Sequence, residues 1–214
     1  RNKISQCVYS LEYAHQLQRS SLYPIDCHLK LDTGMGRIGF DLVGDKEKAY
    51  SEMKELLSLS NLRFTGVFSH FPVADSLGEE EIAYTERQME LFDEAVEYLT
   101  RYGFNFKTVH GQNSAGILRK LSGSFNTMRA GIILYGMNPS KEVSGCDLTP
   151  AMEAKTIVTH IKEIKEGQCV GYGLAYRAEK PVTVATNAAC YADGLPRYIK
   201  NKKYSLKIIG VEYP

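Results

Sequence analysis

The stretch IDCHLKLDTGMGRIGF (residues 25–40) decides the fold, because a strand-forming run meets a glycine-rich loop there. Residues 25–31 are apolar and β-rich, and three glycines fall within the next residues, 34–39. A helix-like segment, 46–59, follows the loop. A strand, a glycine loop and a helix in this order are typical of a parallel sheet with covering helices.

The same unit recurs along the first 135 residues. We predict five strands and four helices in alternation. The predicted strands are 5–9, 25–31, 62–69, 106–110 and 125–134, and the predicted helices are 11–18, 46–59, 81–102 and one that begins at Asn113 and Ser114. Ser10 is placed to cap the first helix. A (β/α)₈ barrel and an open doubly wound sheet both fit, but five units are too few to close a barrel.

The pattern changes after Met137-Asn138-Pro139-Ser140. Residues 154–164, 181–189 and 205–211 are rich in Val, Ile and Thr and predict strands. We therefore expect an α/β chain with two domains: 1–147, the last five units of a (β/α)₈ barrel, and 148–214, part of a β-rich domain. The sequence lacks an initiating Met, and we expect both domains to be incomplete.

Composition excludes several classes of function. Lys and Arg number 26 and Asp and Glu 25, so charge alone recruits neither nucleic acid nor a membrane surface. No apolar run reaches the ~18–20 residues of a membrane span. The five cysteines are odd in number and lack a Cys-x-x-Cys pair, which favours a reducing, cytoplasmic compartment and predicts no metal site.

Polar residues collect where the predicted strands end. Lys30, Asp32 and Arg37 bracket the glycine loop, and His70 follows the next strand. Sites in parallel α/β folds lie at this edge, and an arginine binds anions with its planar fork. The alternatives are a tight turn with a surface salt bridge and a histidine with only a structural role.

Two further motifs suit a phosphate group. Asn113 and Ser114 begin a helix, where free amides attract phosphate, although an ordinary helix cap has the same pattern. The segment Arg129-Ala130-Gly131-Ile132 supplies more backbone amides. Barrels often build a phosphate site from the loops after their last two strands, so the two motifs fit one site.

Two tyrosines stand out in the β-rich region. Tyr172 lies between Gly171 and Gly173, and Tyr191 opens the segment Tyr191-Ala192-Asp193-Gly194. A tyrosine between glycines is exposed or closely approached by another group. A cross-strand aromatic pair explains it equally well.

Taken together and in order, these motifs resemble alanine racemase, a fold-type III enzyme that uses pyridoxal 5′-phosphate. The matching segments are 30–40, 69–75, 113–115, 129–136, 171–173 and 191–197. The resemblance covers nearly the whole chain. It implies a (β/α)₈ barrel followed by a β domain, in agreement with the element pattern.

The resemblance also implies catalytic roles. Tyr172 would be one of two bases that exchange the α-proton of alanine, and His70 would orient or polarise it. Arg129 would face the pyridine nitrogen and donate a hydrogen bond without giving up a proton. Arg37 would face the cofactor's phenolic oxygen and the substrate carboxylate. Lys30 would be the lysine that is often carbamylated, positioning Arg37.

Binding roles follow in the same way. Asn113 and Ser114, with the amides of Gly131 and Ile132, would hold the phosphate, and Tyr191 would line the substrate entrance. Family members are homodimers in which the tyrosine reaches the partner's barrel. Supply of D-alanine for peptidoglycan is the role that the family implies, and a regulatory or resistance role fits equally well.

The sequence departs from the family pattern in two places. The Schiff-base lysine, the second base, belongs to the first barrel unit, and no lysine here matches its motif. Cys190 stands where the family has a glycine, and Asn187 enters a strand that is normally apolar. The alternatives are a serine racemase, a catalytically silent fragment, a fold-type III decarboxylase and a phosphate-sugar barrel enzyme without pyridoxal.

Overall fold

The computed structural model describes residues 4–194, 206–208 and 211–213. The chain divides into two compact units, Arg1–Met152 and Glu153–Pro214. The division lies a few residues beyond the 147/148 boundary that the composition predicts. Each unit is described by itself below.

A parallel sheet forms the centre of the first unit. Its strands are β1 (Gln6–Val8), β2 (Ile25–Asp32), β3 (Phe40–Asp41), β4 (Leu62–Phe68) and β5 (Thr108–His110). The order across the sheet is β1-β2-β4-β5, and the short β3 pairs with the end of β2. Every one of these pairings is parallel, which confirms the predicted α/β class.

Helices alternate with these strands. They are α1 (Leu11–Ser20), α2 (Lys46–Glu55), α3 (Glu79–Tyr102) and α4 (Ser114–Leu118), with a 3₁₀ turn at Leu56–Ser58. The predicted cap of α1 is confirmed, since the Tyr13 amide donates to Ser10 Oγ at 3.2 Å. Asp45 and Asn113 cap α2 and α4 in the same way. Side-chain oxygens thus satisfy amides that a helix leaves open at its start.

The core lies between the sheet and its helices. Alternate β2 residues, Cys27, Leu29 and Leu31, are fully buried, which is the period-two pattern of a strand with a covered face. Phe92 and Leu99, on the buried face of α3, pack in the same cluster. Burial of this apolar surface stabilises the sheet, and the polar residues of the candidate site lie at the carboxyl ends of its strands.

The fifth predicted strand, 125–134, is wrong. The structure shows no strand between β5 and residue 158, and a 3₁₀ turn occupies Ile132–Tyr135. The amides of Asn126 and Thr127 donate to the Val109 carbonyl, and Asn126 Oδ1 accepts the Val109 amide at 2.8 Å. A side-chain oxygen therefore replaces the backbone carbonyl that a strand ladder would need.

The second unit consists of short antiparallel pairs. Its strands are β6 (Val158–Ile164), β7 (Cys169–Val170), β8 (Tyr176–Arg177), β9 (Val182–Asn187), β10 (Leu206–Ile208) and β11 (Val211–Tyr213). β6 pairs with β9, β7 with β8 and β10 with β11. Of the predicted run 205–211, residues 206–208 form β10 and Val211 begins β11, whereas residues 205, 209 and 210 lie outside the described residues. The β-rich character is as predicted.

No helix in the described part of the chain is both long enough and apolar enough to span a bilayer.

Candidate functional site

The carboxyl ends of β2, β4 and β5 place a set of polar side chains side by side. Lys30 of β2 pairs with Phe68 of β4, and Phe68 pairs with His110 of β5. Ser69 and His70 follow β4 directly. Because the strands are parallel, residues that end them meet at one edge of the sheet, as the sequence predicts.

The glycine loop after β2 is held by the carboxylate of Asp32. Its Oδ1 accepts the amides of Gly34 and Gly36 at 3.0 and 3.1 Å. Gly39 has φ +130°, and a Cβ on it would lie 2.7 Å from the Asp32 nitrogen. Only glycine fits that close approach in the left-handed region. Tyr84 closes the loop from α3 by donating to the Gly34 carbonyl at 2.6 Å.

A cavity of about 520 Å³ opens over this loop, lined by Asp32, Arg37, Asp41, Tyr84 and the loop backbone. The Arg37 side chain is exposed, and its guanidinium has no hydrogen-bond partner among the described residues. Its charge is nonetheless close enough to lower the pKa of both Lys30 and His70. Arg37 is therefore a donor available to an anionic ligand.

Lys30 is a buried cation. Its side chain is only 2% exposed, and Nζ donates to the Leu31 carbonyl at 2.6 Å. Burial lowers the pKa of Lys30 to about 8, against an opposing effect of Asp32. Nζ also lies 5.6 Å from the centroid of the Phe68 ring. About a tenth of Lys30 is consequently a neutral, nucleophilic amine at pH 7, far more than for an exposed lysine.

Arg129 is fixed by two histidines and three carbonyls. Nη1 donates to His110 Nδ1 at 2.7 Å, and Nη2 approaches His70 Nδ1 at 3.1 Å. The carbonyls of Ser69, His110 and Gly111 accept from the same two nitrogens. Among the described residues Nε has no partner. The guanidinium is thus clamped through its Nη atoms and keeps one donor available.

Both histidines beside Arg129 are held neutral. Burial, with the charge of Arg129 and the neighbouring His28, lowers the pKa of His110 to about 3. Burial first, and then Arg129, lowers the pKa of His70. The His110 ring stacks on Phe68 with centroids 4.8 Å apart and planes 3° apart. Neutral rings accept from Arg129, so the guanidinium keeps its charge.

The predicted phosphate residues also come together. Ser114 is buried, and its Oγ accepts the Gly131 amide at 2.9 Å and the Ile133 amide at 3.5 Å. A Cβ on Gly131 would lie 3.4 Å from that oxygen. Asn113 caps α4 and also donates through Nδ2 to the Phe71 carbonyl at 3.0 Å. The role of the Ile132 amide at the phosphate stays a prediction.

The predicted tyrosines belong to the second unit. Tyr172 is 95% exposed and lies in a 3₁₀ turn, Tyr172–Leu174, that follows Gly171 at φ +83°. Tyr191 is exposed and begins a second 3₁₀ turn. Cys190 caps that turn, since its Sγ accepts the Ala192 amide at 3.4 Å. Cys190, which stands where the resemblance predicts a glycine, therefore forms a helix cap.

Comparison with known proteins matches both parts of the chain to one family. The family model for the alanine racemase N-terminal domain matches residues 1–139, and the model for the alanine racemase C-terminal domain matches residues 151–214. The chain belongs to the alanine racemase family. Its fold is accordingly that of the family, a barrel domain followed by a β domain.

Individual alanine racemases agree with this assignment. The protein from Clostridium novyi is 37% identical over 207 residues, covering 94% of this chain and 52% of that protein. The structure of alanine racemase from Clostridium difficile 630 has a TM-score of 0.85 and 35% identity, covering 99% of this chain and 55% of that one.

The Bacillus anthracis enzyme, solved with bound L-Ala-P, has a TM-score of 0.76 and 32% identity, covering 88% of this chain and 48% of that one. The chain spans about half the length of the curated relatives that it matches.

The structure adds residues that the sequence analysis did not single out. Ser69 Oγ donates to the Leu31 carbonyl at 3.0 Å and lies 2.8 Å from Thr33 Oγ1. Gln88 reaches Thr33 from α3 at 3.4 Å, and its buried Oε1 has no hydrogen-bond partner among the described residues. His28 contacts His110. The period-two rule could have found His28, because it shares a strand face with Lys30.

Proposed function

We propose that this protein catalyses the interconversion of L- and D-alanine with pyridoxal 5′-phosphate as cofactor. One observation carries the proposal: a permanently charged arginine, Arg129, is clamped by two neutral histidines at the edge of the family's barrel sheet. A carboxylate at this position would accept a hydrogen bond from a protonated pyridine nitrogen and stabilise its charge, whereas an arginine donates to an unprotonated one. Family membership supplies the reaction class.

The residues present fit the cofactor. Ser114 and the amides of Gly131 and Ile132 form the proposed phosphate cluster. Ser114 Oγ accepts the Gly131 amide at 2.9 Å and keeps its own hydroxyl proton to donate to a phosphate oxygen. Asn113 positions that cluster by capping α4. The available Nε of Arg129 suits the pyridine nitrogen, and the exposed guanidinium of Arg37 suits the phenolic oxygen and the substrate carboxylate. When bound, pyridoxal 5′-phosphate supplies an electron sink for the carbanion formed at the substrate's α-carbon.

Arg129 determines how strong that sink is. Its Nη donors are taken by His110, His70 and the carbonyls, so it is oriented before any ligand arrives. Because arginine keeps its proton, the pyridine nitrogen stays unprotonated. A weaker sink disfavours side reactions such as transamination. The fixed guanidinium therefore favours return of the α-proton.

Tyr172 is the proposed base on one face of the substrate. His70 accepts from Arg129 at Nδ1 and so carries its own proton on Nε2. That donor is suited to stabilising a phenolate such as the one Tyr172 must form. The second base, the Schiff-base lysine, is assigned to no residue of the 1–214 sequence. Tyr191 is the proposed lining of the substrate entrance.

Lys30 is the proposed carbamylation site. Its neutral amine forms a bond to the carbon of CO₂ and releases one proton, which leaves a carbamate anion. The lowered pKa favours this step by supplying the neutral amine. The new anion would be placed to orient Arg37, whose charge Lys30 already senses.

The assembly and location of the protein complete the proposal. A homodimer in which Tyr172 serves the partner's site accounts for the 95% exposure of this side chain. All five cysteines are unpaired, which supports a reducing, cytoplasmic location. The expected product is D-alanine for peptidoglycan.

The test is a racemisation assay on the purified protein with added pyridoxal 5′-phosphate. L-alanine and D-alanine are supplied separately, and the appearance of the other enantiomer is followed by chiral chromatography. We expect conversion in both directions in a protein that contains these 214 residues together with a Schiff-base lysine, and loss of it in Tyr172→Phe and Arg129→Ala. Residues 1–214 alone should be inactive, because none of them is assigned as the second base. L-serine is assayed in parallel to test the serine racemase alternative. Cofactor binding without racemisation in a protein carrying every proposed residue would refute the function.

A further inference from the structure

A third histidine completes a hydrogen-bonded chain behind Arg129. His28 Nδ1 lies 3.0 Å from His110 Nε2, and His110 Nδ1 lies 2.7 Å from Arg129 Nη1. Among the described residues His28 makes no hydrogen bond to Arg129. Any effect that it has on the guanidinium must therefore pass through His110.

The backbone is built to place this ring. The register between β2 and β4 shifts at Cys27 and His28, which brings His28 opposite Gly66. A Cβ on Gly66 would lie 2.7 Å from three atoms of the His28 ring. Glycine inside a strand weakens the strand and often marks a close approach by another group. A bulge and a strand glycine thus coincide at this one imidazole.

The hydrogen bonds from Arg129 to His110 and on to His28 are consistent with only one placement of the histidine ring protons. Arginine only donates, so His110 Nδ1 must accept and His110 carries its proton on Nε2. That proton points to His28 Nδ1, which must accept in turn. His28 then carries its proton on Nε2. A proton on His110 Nδ1 would instead set two donors against each other at 2.7 Å.

We propose that His28 is a positioning residue, which holds His110 in the Nε2–H tautomer and thereby fixes Arg129. This inference depends on the proposed function only for its effect on racemisation; the tautomers are a property of the protein alone. Burial lowers the pKa of His28 against an opposing effect of Asp26, in keeping with a neutral ring. Loss of the acceptor would leave a buried N–H without a partner and free the His110 ring to reorient.

The first measurement needs no substrate. Protein labelled with ¹⁵N-histidine is studied by long-range ¹H–¹⁵N correlation NMR, which distinguishes protonated from unprotonated ring nitrogens. We expect both His28 and His110 to carry their protons on Nε2 in the wild type. A proton on Nδ1 of either ring overturns the proposal, whatever the activity of the protein.

Three variants test the link to Arg129. His28→Asn keeps an acceptor near the Nδ1 position, His28→Leu removes it, and Gly66→Ala pushes the ring away. We expect His110 to keep a single Nε2–H tautomer in His28→Asn and to lose it in the other two. The matching loss of kcat/KM for alanine is about tenfold, the equivalent of one net hydrogen bond, with recovery in His28→Asn. His160→Leu, which removes an exposed histidine of β6, is the control.

The two readouts separate the possible failures. If the tautomers behave as expected but neither the wild type nor any variant racemises alanine, the positioning role stands and the proposed function fails. If the wild type racemises alanine and His28→Leu keeps both the His110 tautomer and full kcat/KM, the positioning role fails. A His28→Asn protein as impaired as His28→Leu, with native melting temperature, also overturns it.

Discussion

Replacing the buried cation Lys30 with methionine should stabilise the protein at neutral pH. The ammonium has an ordinary pKa of 10.5, and burial lowers it to about 8. That difference corresponds to about 3 kcal/mol of unfavourable free energy in the folded state below pH 8. Losing the Nζ hydrogen bond to the Leu31 carbonyl costs about 1 kcal/mol. The net expectation is a gain of about 2 kcal/mol at pH 7.

The pH dependence provides the sharper test. The folded protein releases the Lys30 proton near pH 8, whereas the unfolded chain keeps it up to 10.5. The free energy of unfolding of the wild type should therefore rise relative to Lys30→Met between these values, and the advantage of the variant should disappear. Urea denaturation in CO₂-free buffer at several pH values measures this difference directly.

The carbon dioxide must be removed because carbamylation replaces the ammonium with an anion. Lys107→Met, at an exposed lysine, controls for the effect of methionine itself. Intact-mass measurement of the wild type with and without bicarbonate reports whether one CO₂ has been added. Parallel pH profiles for wild type and Lys30→Met from pH 7 to 10.5 would refute the reasoning from burial.

Three further results are expected. Ser114→Ala removes the oxygen that binds the Gly131 amide and should raise the Kd for pyridoxal 5′-phosphate about tenfold in an absorbance titration; an unchanged Kd would remove Ser114 from the phosphate site. Asp32→Asn should lower both stability and racemisation, whereas Asp41→Asn, which weakens a similar pair of loop hydrogen bonds, should lower stability with less effect on racemisation. His110 has a folded pKa of about 3 against an ordinary 6.5, so the free energy of unfolding should fall as pH drops between these values; urea titrations of His110→Gln should show a flatter profile, and equal slopes would contradict the assignment.

The sequence predicts the strands well where one physical signal dominates. The apolar runs that became β2 and β4 are found within a residue of their ends, and the cap of α1 follows from one serine. The segment 125–134 fails because its fate depends on Asn126. That side chain takes the place of a backbone partner of β5, and no periodicity reveals this contact.

The residues of the candidate site also differ in how far the sequence predicts their positions. Parallel strands bring their carboxyl ends together, so the meeting of Lys30 and His70 follows from the order of elements alone. Arg129 lies outside any strand and is placed by its hydrogen bonds to His110 and to the Ser69 carbonyl, which the sequence does not reveal. Gln88 could not be found in this way, because it reaches Thr33 from the middle of a long helix. Its role depends on how α3 packs on the sheet. The tyrosines of the second unit stay predictions of the family resemblance.

The glycine loop also limits which substitutions this protein can accept. At Gly39 any side chain would collide with the backbone of β2, and at Gly34 it would strike the Tyr84 hydroxyl. Substitutions at these two glycines would therefore distort the loop backbone rather than change only the side chains that line the cavity. Ile38 and Val43 line the same cavity with exposed side chains and no such restriction. Sequence variation that changes the surface of this cavity is therefore expected at those two positions, on a loop whose backbone is fixed.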